Sequence, residues 1–164
     1  IEAARLFGVP ESRIEVVIHP ESVVHSMVEF VDGSTLAQLS PPDMCLPIQV
    51  ALTYPERFPG ACTPIDFATC GCLTFRPAAD EQFPALRLAR QALRAGGTAT
   101  AVYNAANEIA VQAFCEDRIR FPRITAIVEE TLGAVPNTPA DTLGAVLQAD
   151  AEARKTAARL VSTP

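Results

Sequence analysis

The chain has 164 residues, 49% of them hydrophobic and 20% charged, with a net charge of −6; that suffices for one domain or two small ones with a real core and excludes a disordered composition. The acidic balance argues against a general nucleic-acid or anionic-membrane surface, although a local basic pocket for a phosphorylated ligand is compatible with it. No apolar run reaches roughly 18 residues, and no basic stretch followed by an apolar one opens the chain, so neither a membrane span nor a signal peptide is expected.

Residues 1–7 are helical in composition with nothing before them to cap the helix. They are expected to be the end of a helix whose beginning is missing, with Gly8 at its C′ position and Pro10 blocking continuation. Residues 14–19 read as a strand. His19 precedes Pro20, which biases it to extended backbone, and its position favours a structural role over a catalytic one.

Two β-type runs then flank Asp32-Gly33, a dipeptide suited to a two-residue type I′ hairpin loop. That loop pairs Val31 with Ser34, Glu29 with Leu36, Met27 with Gln38 and His25 with Ser40. Strand alternation then puts His25, Met27, Glu29, Gln38 and Ser40 on one face, and Val24, Ser26, Val28, Phe30, Thr35, Ala37 and Leu39 on an apolar face expected to meet the core. Ser40 leads into Pro41-Pro42-Asp43-Met44, stiffened by two fixed φ angles. A titratable ring, a polar rim and a rigid apolar turn would lie together; the competing reading is a solvated face with an ordinary strand-exit turn.

Residues 47–54 are expected to form a short helix with proline in its first turn, stopped by Pro55. Residues 55–83 then carry Pro55, Pro59, Pro64 and Pro77 with Gly60 and Gly71. They read as a linker in which only residues 72–75 look like a strand. Cys45, Cys62, Cys70, Cys72 and Cys115 are an odd number in a chain too large for a disulfide scaffold, which favours reduced thiols in a cytosol. Cys70-Gly71-Cys72 has no zinc-type partner at a suitable spacing, so buried or half-buried thiols are favoured there over a metal or redox role.

From Pro84 onward the texture is helical. Residues 84–95 carry Leu86, Ala89 and Leu93 at helical spacing before Gly96-Gly97. Residues 101–114 carry Val102, Ala106, Ile109, Ala110 and Ala113, with a polar Asn104-Ala105-Ala106-Asn107-Glu108 insertion read as structural, able to bond a loop or a neighbouring domain. Pro122 opens a third helix, with Ile124, Ile127, Val128, Thr131 and Leu132 inward and Gly133 closing it. Thr138-Pro139 is expected to cap a fourth over residues 140–161, with Leu143, Val146, Leu147, Ala157 and Leu160 on one stripe. The expected fold is α+β: a partial β-sheet domain followed by a C-terminal four-helix bundle.

The run from Ile18 to Val28, Asp32 to Leu39, Pro42-Asp43-Met44, and Asn104 to Glu108 together closely resemble the 1-deoxy-D-xylulose 5-phosphate reductoisomerase family. The likeness extends over nearly the whole chain, in order. It implies an NADPH-dependent enzyme of non-mevalonate isoprenoid biosynthesis that uses a divalent metal, Mg²⁺ or Mn²⁺, to rearrange and reduce a phosphorylated sugar. It also implies a cytoplasmic homodimer. By this resemblance residues 1–54 are the later part of the central catalytic domain, 55–83 the linker and 84–164 the helical domain. His25 matches an active-site histidine near the substrate, Ser22 a position beside that pocket, and Pro42 and Met44 the apolar wall near the nicotinamide. The family's nucleotide-binding domain and acidic metal ligands lie upstream, and no Gly-rich strand-to-helix turn stands here for a dinucleotide. The chain is thus expected to be a fragment, inactive alone, that binds neither NADPH nor metal without the missing N-terminal part; the alternative is a non-catalytic dimerisation and support module.

Overall fold

A computed structural model describes residues 1–60, 62–79 and 82–162. In chain order its elements are α1 (Glu2–Phe7), a 3-10 turn (Glu11–Arg13), β1 (Val17–Ile18), β2 (Val24–Glu29), β3 (Thr35–Leu39), α2 (Cys45–Thr53), β4 (Arg76–Pro77), α3 (Pro84–Ala95), α4 (Ala99–Cys115), α5 (Phe121–Ala134) and α6 (Leu143–Val161). The fold is α+β, and the chain separates into two compact units, Ile1–Glu15 with Ala79–Pro164, and Val16–Ala78.

The first unit is the four-helix bundle of α3 to α6, in which α4 packs against the other three. Ala105, Ala106, Ala110 and Ala113 on α4 and Ala153 and Ala157 on α6 are fully buried. Side chains this small let helix axes approach closely, and Leu88, Ile124, Ile127 and Val128 fill the space that remains. Three expectations need correction. Leu143 and Leu147 are exposed, because the inward stripe of α6 runs through Ala149, Ala153, Thr156 and Ala157. The cap of α6 is Thr142, whose Oγ1 accepts the Ala145 N–H at 3.1 Å. Thr138 is already engaged: its carbonyl accepts the Thr98 N–H at 2.9 Å and its N–H donates to Thr98 Oγ1 at 3.1 Å. That junction also explains Gly97, which has φ +53°; a Cβ there would lie 2.4 Å from the Thr138 carbonyl oxygen. Gly133 lies inside α5 rather than ending it.

The N-terminal segment is stapled to α3 by one carboxylate. Glu11 Oε2 accepts from Arg94 Nε at 3.0 Å, Glu11 Oε1 also pairs with Arg90, and Arg90 Nη2 donates to the Ile14 carbonyl at 2.9 Å. The guanidinium of Arg94, then that of Arg90, holds the Glu11 carboxyl down to about 2. On α4, Asn104 donates to Glu108 of its own helix at 2.9 Å, and Glu108 accepts from Arg154 of α6 at 2.7 Å. The polar insertion thus links α4 to α6.

In the second unit β1 and β4 pair antiparallel, Val17 with Pro77 and Ile18 with Arg76. The strand expected over residues 14–19 shrinks to Val17–Ile18, and the one expected over 72–75 does not form there; the short strand β4 lies just beyond it, at Arg76–Pro77. Pro77 brings no N–H to the ladder, and the Thr74 carbonyl and N–H are taken by the side chains of His19 and Glu21. The β2–β3 hairpin also departs from its expected register. Phe30 N–H donates to the Ser34 carbonyl at 2.8 Å and Gly33 N–H to the Phe30 carbonyl at 2.9 Å, which makes a three-residue loop, Val31 to Gly33. Only Gly33 has positive φ, +82°, whereas a type I′ turn would need it at Asp32 too. Glu29 therefore pairs with Thr35, Met27 with Ala37 and Ser26 with Gln38, one residue away from the two-residue-loop register.

Neither hairpin face is a core. Met27 is 46%, Val28 58%, Phe30 46% and Leu36 67% exposed. Within its unit the hairpin is a sheet of two strands, and only the end holding Val24, Leu39 and Ser40 is covered.

Candidate active-site hairpin

A β-bulge carries the candidate histidine. Val24 pairs with Leu39 and Ser26 with Gln38, so His25 is the extra residue between them. Ser40 sits opposite Val23, whose carbonyl accepts its N–H at 3.0 Å, and the Ser40 hydroxyl reaches diagonally to His25 Nδ1 at 3.4 Å. The expected His25–Ser40 neighbourhood is present, by this diagonal contact and not by direct cross-strand pairing. Ser40 is only 6% exposed while His25 is exposed. One ring nitrogen is thus held from the protein side, and among the described residues no hydrogen bond engages the other, an arrangement that suits polar contact or proton transfer.

Ser40 leads directly into Pro41 and Pro42, and the Asp43 N–H donates back to the Pro41 carbonyl at 2.8 Å. Asp43 Oδ1 accepts the Cys45 N–H at 2.8 Å, which starts α2 two residues before the expected Pro47. Pro42 and Met44 are exposed on this turn. Hydrogen bonds from the backbone and then the thiol of Cys45 pull the Asp43 carboxyl down. The same bond pushes the Cys45 thiol up, and burial followed by the Asp43 charge pushes Cys62 up. A cluster of two thiols on one carboxylate was not visible in the sequence, where Cys45 and Cys62 lie far apart. All five cysteines are free; Cys70 is half-buried and Cys72 exposed.

Ser22 lies on the turn before β2 with φ 49°, and its N–H donates to the His19 carbonyl at 3.1 Å. Among the described residues no hydrogen bond joins Ser22 or Met44 to His25. His19 is the residue that sequence reasoning left as merely structural. Its ring is nearly buried, accepts the Val23 N–H at Nε2, and stacks on Phe75. Among the described residues no three His, Cys, Asp or Glu side chains converge as a group able to hold a metal. No described helix is long and apolar enough to cross a membrane.

Residues 39–156 match the sequence model of the DXP reductoisomerase C-terminal domain. The chain belongs to the DXP reductoisomerase family. It is 57% identical over 163 residues to the 1-deoxy-D-xylulose 5-phosphate reductoisomerase of Nocardia farcinica, covering 98% of this chain and 41% of that protein. The enzyme of the same name from Ralstonia pickettii is 53% identical, covering 99% of this chain and 41% of its own length. The chain therefore spans about two fifths of the curated relatives it matches. Among solved structures, the Zymomonas mobilis reductoisomerase in complex with NADPH superposes with a TM-score of 0.89 at 43% identity, over 99% of this chain and 43% of that one. A DOX-P reductoisomerase in complex with NADPH, fosmidomycin and magnesium gives 0.88 at 42% identity, over 98% and 41%.

Proposed function

We propose that this chain serves as the C-terminal part of a reductoisomerase that converts 1-deoxy-D-xylulose 5-phosphate to 2-C-methyl-D-erythritol 4-phosphate in the cytoplasm. The observation that carries the proposal is the family match across the hairpin, the Pro41–Pro42 turn and the bundle. NADPH and Mg²⁺ or Mn²⁺ are bound by the remaining length of the enzyme, and residues 1–54, 55–83 and 84–164 correspond to the later catalytic domain, linker and helical domain. His25 contacts the substrate or moves a proton at its free ring nitrogen, Ser22 borders the pocket, and Pro42 and Met44 form its apolar wall. The chain by itself is inactive. A second reading, dimerisation and structural support, has one observation in its favour: the exposed apolar side chains of the hairpin, which a second copy of the enzyme would cover.

The test is a chimera in which these 164 residues replace the matching segment of the Nocardia farcinica enzyme. In it His25→Ala should lower kcat by about 10²-fold or more with little change in melting temperature, because the histidine is exposed on a bulge. A large drop in melting temperature with the remaining folded enzyme fully active would assign His25 a structural role instead.

A further inference from the structure

The polar atoms of the His19 ring face fixed partners. Nδ1 lies 2.8 Å from the Thr74 carbonyl oxygen and 3.0 Å from Glu21 Oε2. Both are acceptors, so Nδ1 carries a proton. Nε2 lies 3.1 Å from the Val23 backbone nitrogen, which can only donate, so Nε2 is bare. The ring is therefore the neutral Nδ1–H tautomer. Its face stacks on Phe75 with centroids 4.6 Å apart and planes 16° from parallel, and its side chain is 6% exposed.

These contacts close the turn from His19 to Val23 on itself and fasten it to the segment at Thr74 and Phe75. Inside that turn Ser22 has φ 49°, a left-handed conformation that costs a serine free energy and persists where its surroundings over-determine it. The Val23 N–H, next in the chain, is the one His19 accepts, and β2 begins immediately after it.

We infer that His19 is a positioning residue for the substrate pocket: its neutral imidazole locks the 19–23 turn, and through it Ser22 and the start of the strand that carries His25, resting on the reading of those two as pocket residues. Protonation would place a second N–H on Nε2 against the Val23 N–H, two donors face to face, and open the turn. The charged group against the ring is the Glu21 carboxylate from the same turn; the facing segment offers the Thr74 carbonyl and the uncharged Phe75 ring. Hydrogen bonds from the Thr74 side chain, from Glu21's own backbone and from the Thr74 backbone hold the Glu21 carboxyl below its ordinary range.

Nitrogen NMR on the 164-residue chain tests the lock directly. Near neutral pH it should show a protonated Nδ1 and a bare Nε2 on His19, and the Val23 amide should lose protection from hydrogen exchange with the midpoint of the His19 titration. An Nε2–H tautomer, or a Val23 amide indifferent to that titration, overturns the inference. In the chimera, His19→Asn keeps a donor for the Thr74 carbonyl, but its shorter side chain carries no acceptor out to the Nε2 position that takes the Val23 N–H. The KM for 1-deoxy-D-xylulose 5-phosphate should rise about tenfold, with kcat changed less and the KM for NADPH unchanged. A fall in kcat at constant KM is what loss of folded enzyme produces, and it would overturn the positioning role. A chimera silent even with His19 intact would sink the reductoisomerase reading, and the tautomer and the Val23 amide would then judge the lock by themselves.

Discussion

Glu11 ties the N-terminal segment to α3 through two guanidinium groups, which makes it a stability-bearing carboxylate with a defined pH signature. Its folded-state value, about 2, lies below the ordinary glutamate value of 4.5 because Arg94 and Arg90 donate to it. The unfolded chain therefore binds this proton first as pH falls, so the ion pairs' contribution is complete above about 4.5 and drains away from there down to about 2. Glu11→Gln should flatten this part of the acid side of the stability curve, measured as denaturation midpoint against pH. An unchanged acid slope would contradict the pairing. In the sequence Glu11 was one acidic residue after a proline, with nothing to say that Arg90 and Arg94 were its partners. Asp32 and Gly33 were more legible as a turn, but two- and three-residue loops both want glycine at positive φ, so the dipeptide left the loop length open. His25 stood out by pattern and by resemblance; the bulge that carries it did not, since an extra residue leaves no mark in strand alternation.

Elements with local rules were read best. The bounds of α3 coincide with the expected 84–95 because Pro84 at the first turn and Gly96-Gly97 after the last act within the helix itself. Thr138, the expected cap of α6, is taken instead by a contact across the bundle, the Thr98–Thr138 junction, which sequence spacing does not encode, and Thr142 caps the helix. Thr142→Ala should accordingly cost about 1 kcal/mol of stability in chemical denaturation; no loss would mean that Thr142 is not the cap. Of the stripe expected on α6, Ala157 and Leu160 do meet the core, but Leu143 and Leu147 were misread for a related reason. Leucine outweighs alanine on any hydrophobicity count, yet α4 and α6 meet through Ala105, Ala106, Ala110, Ala153 and Ala157, where only small side chains fit. Strands fared worst, since β1 and β4 are defined by each other across about 60 residues of chain.

At the scale of the molecule, one unit is a bundle with its own alanine-rich core, and the other holds an exposed hairpin, a proline-stiffened turn and a histidine locked into the turn before the candidate site. The bundle's fold class and the family were legible before any coordinates. The exposure of Val28, Phe30 and Leu36 was not, because alternation shows that a strand has an apolar face without showing what covers it. A chain spanning two fifths of its relatives, with such a face open, is expected to work only as part of the longer enzyme. The measurement that tests this most directly is NADPH consumption with 1-deoxy-D-xylulose 5-phosphate and Mg²⁺, run on the purified 164-residue chain beside the Nocardia farcinica chimera that contains it. Turnover by the chimera and none by the chain alone is the expected result; a robust rate from the chain alone, or a well-folded chimera without activity, would contradict it.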